Sequence, residues 1–162
     1  MRVTVIGTGR LGLLVGQVLA RYRCKLTMIG RNPRTLAIAE QFGLDARGVG
    51  DVARRGDQDV VVECSGAPEG LRLAQELVRP RGTIVLKSTY HGKAAVDMAP
   101  FVVDEITLVG SRCGPFAPAL ASLASGEVDP RPLVEARYPL ADAVAAFDHA
   151  ARPGALNVLV EC

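Results

Sequence analysis

The sequence predicts a doubly wound α/β domain built on a mostly parallel six-stranded sheet with helices on both faces. Three observations carry this expectation. Short β-branched apolar runs alternate with stretches of helical periodicity, the order of successive βαβ units. The connections are short and rich in Gly, Pro, Asn and Asp. One run, Asp59-Val60-Val61-Val62-Glu63, is continuously apolar between charged ends, as a strand covered on both faces should be.

The elements follow in order. Val3, Thr4, Val5 and Ile6 form the first strand, and Gly7-Thr8-Gly9-Arg10-Leu11-Gly12 breaks it. Leu11, Leu14, Val15, Val18, Leu19 and Tyr22 then recur at helical spacing and give one apolar stripe. Residues 25–29 read as the second strand, ended by Gly30. Asn32 is placed to cap the next helix and Pro33 to occupy its first position, with the helix running to about Gln41 and closed by Gly43. The stretch 44–55, rich in Gly, Asp and Arg, holds a short edge strand near Leu44-Asp45-Ala46.

After the strand at 59–63, Cys64-Ser65-Gly66-Ala67-Pro68 turns the chain into a helix carrying Leu71, Ala74, Leu77 and Val78. Pro80-Arg81-Gly82 is expected to stop that helix, and 83–86 to form a buried strand. Residues 87–100 read as a loop containing Thr89, Tyr90 and His91. A strand at 106–109, a turn at 110–115 and a helix at 117–124 complete the unit. The last part changes rhythm, with a strand at 133–138, a helix begun by Pro139 that carries Val144 and Phe147, and a strand at 157–161. The expected division is therefore a nucleotide-binding unit at 1–129 and a short strand-helix-strand extension at 130–162.

Composition excludes several function classes. The 162 residues are 49% hydrophobic and 22% charged with a net charge of +2, ordinary for one globular domain. No basic run interleaved with aromatics points to nucleic acid, and Arg54-Arg55 between Asp51 and Asp57 reads as a solvated turn. No apolar run approaches membrane-spanning length. Cys24, Cys64, Cys113 and Cys162 are far apart, with only His91 and His149 to join them. That spacing argues against a zinc site or a disulfide framework and suits a reducing cytoplasm.

The glycine run carries the chemistry. Strand, G-x-G-x-x-G, then helix is the setting in which the motif means dinucleotide binding. Gly7 permits the tight turn, Gly9 lets a pyrophosphate approach the backbone, and Gly12 lets the helix pack close to the strand. Thr8, Arg10 and Leu11 complete the turn, and the helix N-terminus offers N–H groups and a positive dipole end to the anion.

Further residues extend this pattern across the chain: Gly30-Arg31, Glu63-Cys64-Ser65-Gly66, Arg79-Pro80-Arg81-Gly82-Thr83-Ile84-Val85 and Pro139-Leu140-Ala141-Asp142-Ala143. With residues 3–12 they resemble, in order, the medium-chain dehydrogenases/reductases, the zinc-type alcohol dehydrogenase and threonine dehydrogenase-like proteins. The resemblance implies a Rossmann cofactor half and a GroES-like catalytic half that supplies zinc and the substrate pocket. It implies an oxidoreductase acting on a small alcohol or carbonyl substrate, and a dimer through the edge of the sixth strand. This chain begins at the first Rossmann strand, so a piece of a longer enzyme is expected. The two C-terminal strands would otherwise leave bare edges. A free-standing nucleotide-binding or redox-sensing module is the alternative.

Cofactor choice turns on the end of the second strand. In NAD-specific domains an acidic residue about twenty positions past the glycines bonds the ribose hydroxyls. Gly30 and Arg31 stand there, so no carboxylate repels a 2′-phosphate and a guanidinium can bind it in bidentate fashion. Asn32 and Arg34 are second-line contributors. The expectation is NADP(H), with NAD(H) as the alternative. The competing reading makes Arg31 and Arg34 exposed helix-start residues without a ligand.

Ligands of open α/β sheets bind beyond the carboxyl ends of the strands. That places Cys64, Ser65 and Gly66, and Lys87, Ser88 and Thr89, beside the cofactor. Lys87 faces ribose, phosphate or substrate, or else snorkels out of the strand end. Cys113, next to Arg112, lies near the nicotinamide or is a small apolar side chain. Tyr90-His91 reads as a polar loop tip and His149 as surface. No triad or carboxylate pair presents itself, so no catalytic residue is assigned.

Overall fold

In the computed structural model, which describes residues 1–89 and 95–162, Val3 and Val5 point to one face of the first strand and Thr4 and Ile6 to the other. That strand, β1 (Arg2–Ile6), lies near the middle of a six-stranded sheet. β2 (Lys25–Gly30) and β3 (Asp45–Gly48) extend the sheet on one side. β4 (Gln58–Glu63), β5 (Val78–Leu86) and β6 (Thr107–Gly110) extend it on the other. The order is β3-β2-β1-β4-β5-β6 and every pairing is parallel. Strand order reverses between β1 and β4, where Ile6 is opposite Glu63, and the crevice outside these ends is where such sheets bind ligands.

Helices flank both faces. α1 (Arg10–Leu19) and α2 (Pro33–Gln41) cover one, where Leu13, Ile38 and Ala39 pack on Val3, Val5, Met28 and Val62. α3 (Pro68–Leu77) and α4 (Ala99–Val103) cover the other, with Leu71, Ala74 and Leu77 on Ile6, Val61 and Ile84. The second cover is unequal, because the β3-to-β4 connection contains a single 3-10 turn (Val49–Asp51). The strands beneath it carry a polar row that bonds internally. Thr27 Oγ1 donates to Asp45 Oδ2 (3.0 Å) and Thr4 Oγ1 to Gln58 Oε1 (2.9 Å).

Three elements differ from expectation. β5 starts at Val78, because 80–82 form a bulge inside the strand rather than a helix stop. Arg81 takes a positive φ of 60° there, and its N–H donates to the Asp104 carbonyl at 2.7 Å. The stretch expected as a loop to residue 100 already enters α4 at Ala99. Its Tyr90 and His91 lie outside the described residues. Pro139 closes a strand rather than opening a helix, since its extended backbone (φ −66°, ψ 157°) is followed by a 3-10 turn, Leu140–Asp142.

The C-terminal segment forms a second, two-stranded parallel sheet from β7 (Val134–Pro139) and β8 (Asn157–Glu161), joined through a helix at Ala143–Ala150. It is not detached. Leu133 and Leu156 are fully buried in the cluster that holds Val3 and Leu13. The Gln17 side chain of α1 clasps Asp129, donating to its carbonyl at 3.1 Å and accepting its N–H at 2.7 Å. In the chain between β6 and β7, α5 (Phe116–Ala124) has no buried residue, and the helix at 143–150 is α6. No helix of the described residues is long and apolar enough to cross a membrane.

Candidate functional site: a glycine-lined cleft at the sheet switch point

β1 ends where Gly7 turns the chain with φ +105°, a conformation that favours glycine. A β-carbon on Gly7 would come within 2.6 Å of the Cys64 carbonyl oxygen, so the turn presses against the end of β4. One on Gly12 would lie 1.8 Å from the Gly7 carbonyl oxygen, so α1 sits directly on the turn. Gly9 is different. Among the described residues nothing lies within 4 Å of its hypothetical β-carbon, and no side chain caps α1 behind it. The helix start is thus left open to an anion, whereas Asn32 caps α2 by accepting the Arg34 N–H at 2.9 Å.

A cleft of about 520 Å³ opens over this helix start. Thr8, Gly9, Arg10 and Leu11 line it on one side, Arg31 and Asn32 on another, and Cys64, Ser65, Gly66, Lys87, Ser88 and Thr89 on a third. A smaller recess of about 120 Å³ adjoins through Gly7, Gly30, Arg31, Ser65 and Gly70. Fifteen of the residues singled out from sequence therefore lie at one place once Gly12, packed behind the turn, is included. Arg34 is the exception. It lines neither cavity, and its guanidinium pairs with Glu135 at 2.9 Å.

Local bonding explains how the walls are held. The Thr8 and Thr35 hydroxyls bond at 2.7 Å, both buried, so Thr8 ties the glycine turn to α2. Gly30 has no room for a side chain, since its β-carbon would meet Thr8 Oγ1 at 2.2 Å. Arg10 and Arg31 are exposed, and no acidic side chain pairs with either among the described residues.

On the β4 side, Glu63 is fully buried and its Oε1 accepts the Ser65 N–H at 2.7 Å. Ser88 Oγ accepts the Gly66 N–H at 2.8 Å, which joins the β4 and β5 loops. Lys87 neither reaches freely into the cleft nor snorkels away. Its Nζ donates to Ser111 Oγ at 3.3 Å and to the Arg112 carbonyl, bracing the loop after β6. The Cys64 thiol is pushed up to about 12, chiefly by burial and then by the nearby Glu63 charge, and stays protonated near neutral pH. Cys113 is exposed and lines neither cavity.

Sequence reasoning missed one wall. Gly154, Ala155 and Leu156, from the loop before β8, also line the cleft. Behind them Glu135 is a junction. Oε1 pairs with Arg34 and meets His149 Nε2 at 3.2 Å, and Oε2 accepts the Leu156 N–H at 2.8 Å. His149, expected at the surface, is mostly covered and also meets the Tyr138 hydroxyl through Nδ1 at 3.0 Å. A neutral ring satisfies both bonds, with Nε2–H donating to Glu135 and the Tyr138 hydroxyl donating to Nδ1. Arg34, the Leu156 N–H and His149, in that order, hold the Glu135 carboxyl down to about 2. These partners are far apart in the chain, so no local pattern announced them.

Comparison with known proteins decides the family. A model of zinc-binding dehydrogenases matches residues 11–125. The chain belongs to the zinc-binding dehydrogenase family. Among relatives of this family, L-idonate 5-dehydrogenase (NAD(P)(+)) of Escherichia coli is 30% identical over 87% of this chain and 44% of its own length. A structure of L-idonate 5-dehydrogenase from E. coli superimposes with a TM-score of 0.89 at 28% identity, over 99% of this chain and 50% of that one. A zinc-binding dehydrogenase from Sinorhizobium meliloti, bound to NADP, superimposes with a TM-score of 0.87 at 25% identity, over 99% and 52%. The 2-dehydro-3-deoxy-L-galactonate 5-dehydrogenase of Pseudoalteromonas atlantica is 27% identical over 99% of this chain and 51% of its own length. The chain spans about half the length of the curated relatives it matches.

The family name implies zinc, and the described residues do not fit it. No group of three His, Cys, Asp or Glu stands close enough to hold a metal ion among them. A dinucleotide does fit, because the close glycine packing and the open helix start at Gly9 form a cradle without side chains.

Proposed function

We propose that the cleft binds a nicotinamide dinucleotide, with preference for NADP(H), and that the chain is the cofactor half of an alcohol or polyol oxidoreductase. The observation that carries the reading is the bare, uncapped start of α1 at Gly9, with Arg31, which has no acidic partner among the described residues, lining the same cleft. In this reading the backbone N–H groups of Arg10 and Leu11 take the pyrophosphate, and Gly7 and Gly12 keep the turn tight. Gly30 removes the carboxylate that would repel a 2′-phosphate, and Arg31 supplies a guanidinium for it. The recess beside Gly30 and Ser65 receives the adenosine end, and the loops holding Ser88 and Thr89 form the wall toward the nicotinamide. When bound, the nicotinamide supplies hydride transfer, and the chain binds and orients it.

The relatives' names support a polyhydroxylated alcohol or the corresponding carbonyl compound as substrate. Zinc and the substrate pocket belong, in this reading, to a catalytic half that the residues here do not supply. Residues 1–129 form the cofactor domain, and 130–162 the segment that contacts that half. Leu108 and Val109, exposed on the edge strand β6, support a homodimer through that edge. A second reading, a nucleotide-binding or redox-sensing module without catalysis of its own, draws support from Lys87, which is committed to bracing the loop after β6.

Calorimetric titration with NADPH and NADH tests the proposal. NADPH is expected to bind about tenfold or more tightly than NADH, the scale of one charge-assisted contact. Equal or tighter NADH binding sinks the NADP(H) preference, and no binding of either sinks the whole reading. Turnover of polyols by this chain would remove the second reading.

A further inference from the structure

Two arginines flank the start of α2, and the structure treats them differently. Arg31 follows β2 directly, lines both cavities and has no acidic partner among the described residues. Arg34 lies one turn on, and its guanidinium is held 2.9 Å from Glu135 Oε1 although half of its side chain is exposed. The carboxylate is the fixed member of this pair. Glu135 is largely covered, and the Leu156 N–H and His149 bind it independently of Arg34. A carboxylate held by two partners besides Arg34 does not follow a mobile guanidinium toward a ligand. The guanidinium stays with the carboxylate.

We propose that Glu135 is a specificity-determining residue, which, by capturing Arg34, leaves Arg31 as the arginine offered to a 2′-phosphate at the adenosine end among the described residues. The inference rests on the dinucleotide reading above. The carboxylate acts from the C-terminal segment, outside the unit that holds the glycine turn. The same residue fixes the cleft wall at Leu156, so cofactor discrimination and the seating of residues 154–156 share one anchor. The Asn32 side chain closes this arrangement. Its Nδ2 lies 3.1 Å from where a β-carbon on Gly154 would stand, so the start of α2 and the C-terminal loop are in contact beside the Arg34–Glu135 pair.

The test uses 2′,5′-ADP and 5′-AMP, which differ only in the 2′-phosphate, titrated into the wild-type protein, Glu135→Gln, Arg34→Ala and the double variant. Glutamine keeps an acceptor for the Leu156 N–H but does not hold a guanidinium by charge. Glu135→Gln is expected to tighten 2′,5′-ADP binding about tenfold and to change 5′-AMP by less than about twofold. Arg34→Ala should leave both affinities unchanged in the wild-type background and remove the gain in the double variant. Should Glu135→Gln melt before titration, Arg34→Ala decides alone, because it trims a half-exposed side chain. Unchanged 2′,5′-ADP binding supports the inference, and weakened binding overturns it. Unaltered discrimination by folded Glu135→Gln that still binds 5′-AMP also overturns it and leaves the dinucleotide reading intact. Wild-type protein that binds neither nucleotide overturns the dinucleotide reading and the inference together.

Discussion

Gly12 sits so close beneath Gly7 that a β-carbon on it would lie 1.8 Å from the Gly7 carbonyl oxygen. Both partners are backbone, so neither can rotate aside. Gly12→Ala must lift α1 from the strand end, and a loss of about 3 kcal/mol is expected from such overpacking. Gly9→Ala meets nothing within 4 Å among the described residues and should cost only about 0.5–1 kcal/mol, the gap between Gly and Ala at an N-cap. Chemical denaturation separates the two. Dinucleotide affinity should fall in both variants, and a Gly9→Ala protein that binds as wild type would contradict the placement of the pyrophosphate.

Position 30 is closed to the acidic residue of NAD-specific domains by sterics as well as by identity. A β-carbon there would stand 2.2 Å from Thr8 Oγ1, whose hydroxyl is committed to Thr35. Gly30→Asp should therefore lower the melting temperature without creating a good NAD site. Arg31→Asp, on an exposed side chain, should leave folding intact and weaken NADPH by about tenfold or more through loss of the guanidinium and new repulsion. Thermal melts and calorimetric titrations of both variants check this pair of outcomes.

The Glu135 carboxyl makes stability acid-sensitive. Its folded value is lowered from 4.5 to about 2, first by Arg34, then by the Leu156 N–H and His149. In that interval the unfolded chain binds the proton and the folded chain does not, so stability rises with pH. The contribution is complete above about pH 4.5 and is lost as pH falls toward 2. Urea midpoints measured across this range should drop more steeply for wild type than for Glu135→Gln. Parallel curves would show that the carboxyl is not held down.

The C-terminal segment should unfold with the main sheet rather than before it. Leu133 is fully buried in the cluster of Val3 and Leu13, and Leu133→Ala should cost about 2–5 kcal/mol. Gln17→Leu leaves the Asp129 N–H and carbonyl without their partner and should cost about 1–3 kcal/mol. Hydrogen exchange provides the check. Amides of β7 and β8 should exchange with the global transition in wild type and faster in Gln17→Leu.

Elements with strong local chemistry were legible in advance. Asn32-Pro33 set the start of α2, and the glycine run together with the β-branched stretches set the strand ends around the cleft. The entry to β5 was not legible, because Pro80 and Gly82 mark a bulge as readily as a helix end. The pairing of Val78 with Gln58 and the Arg81 bond to the Asp104 carbonyl distinguish the two. Lys87 was placed at the right strand end, but whether it served a ligand or a neighbouring loop depended on Ser111 and Arg112 arriving beside it.

The sequence by itself determined the parallel α/β order and the glycine turn, together with the absence of an acidic residue after β2. Each of these depends on residues within a few positions of one another, where backbone sterics and periodicity act. Tertiary structure alone decided that Arg34 faces Glu135 instead of the cleft, that His149 is a bridge, and that Gly154, Ala155 and Leu156 complete a wall. Those outcomes depend on pairings between segments far apart in the chain, which form only when β7 and β8 dock on the layer of α1 and α2.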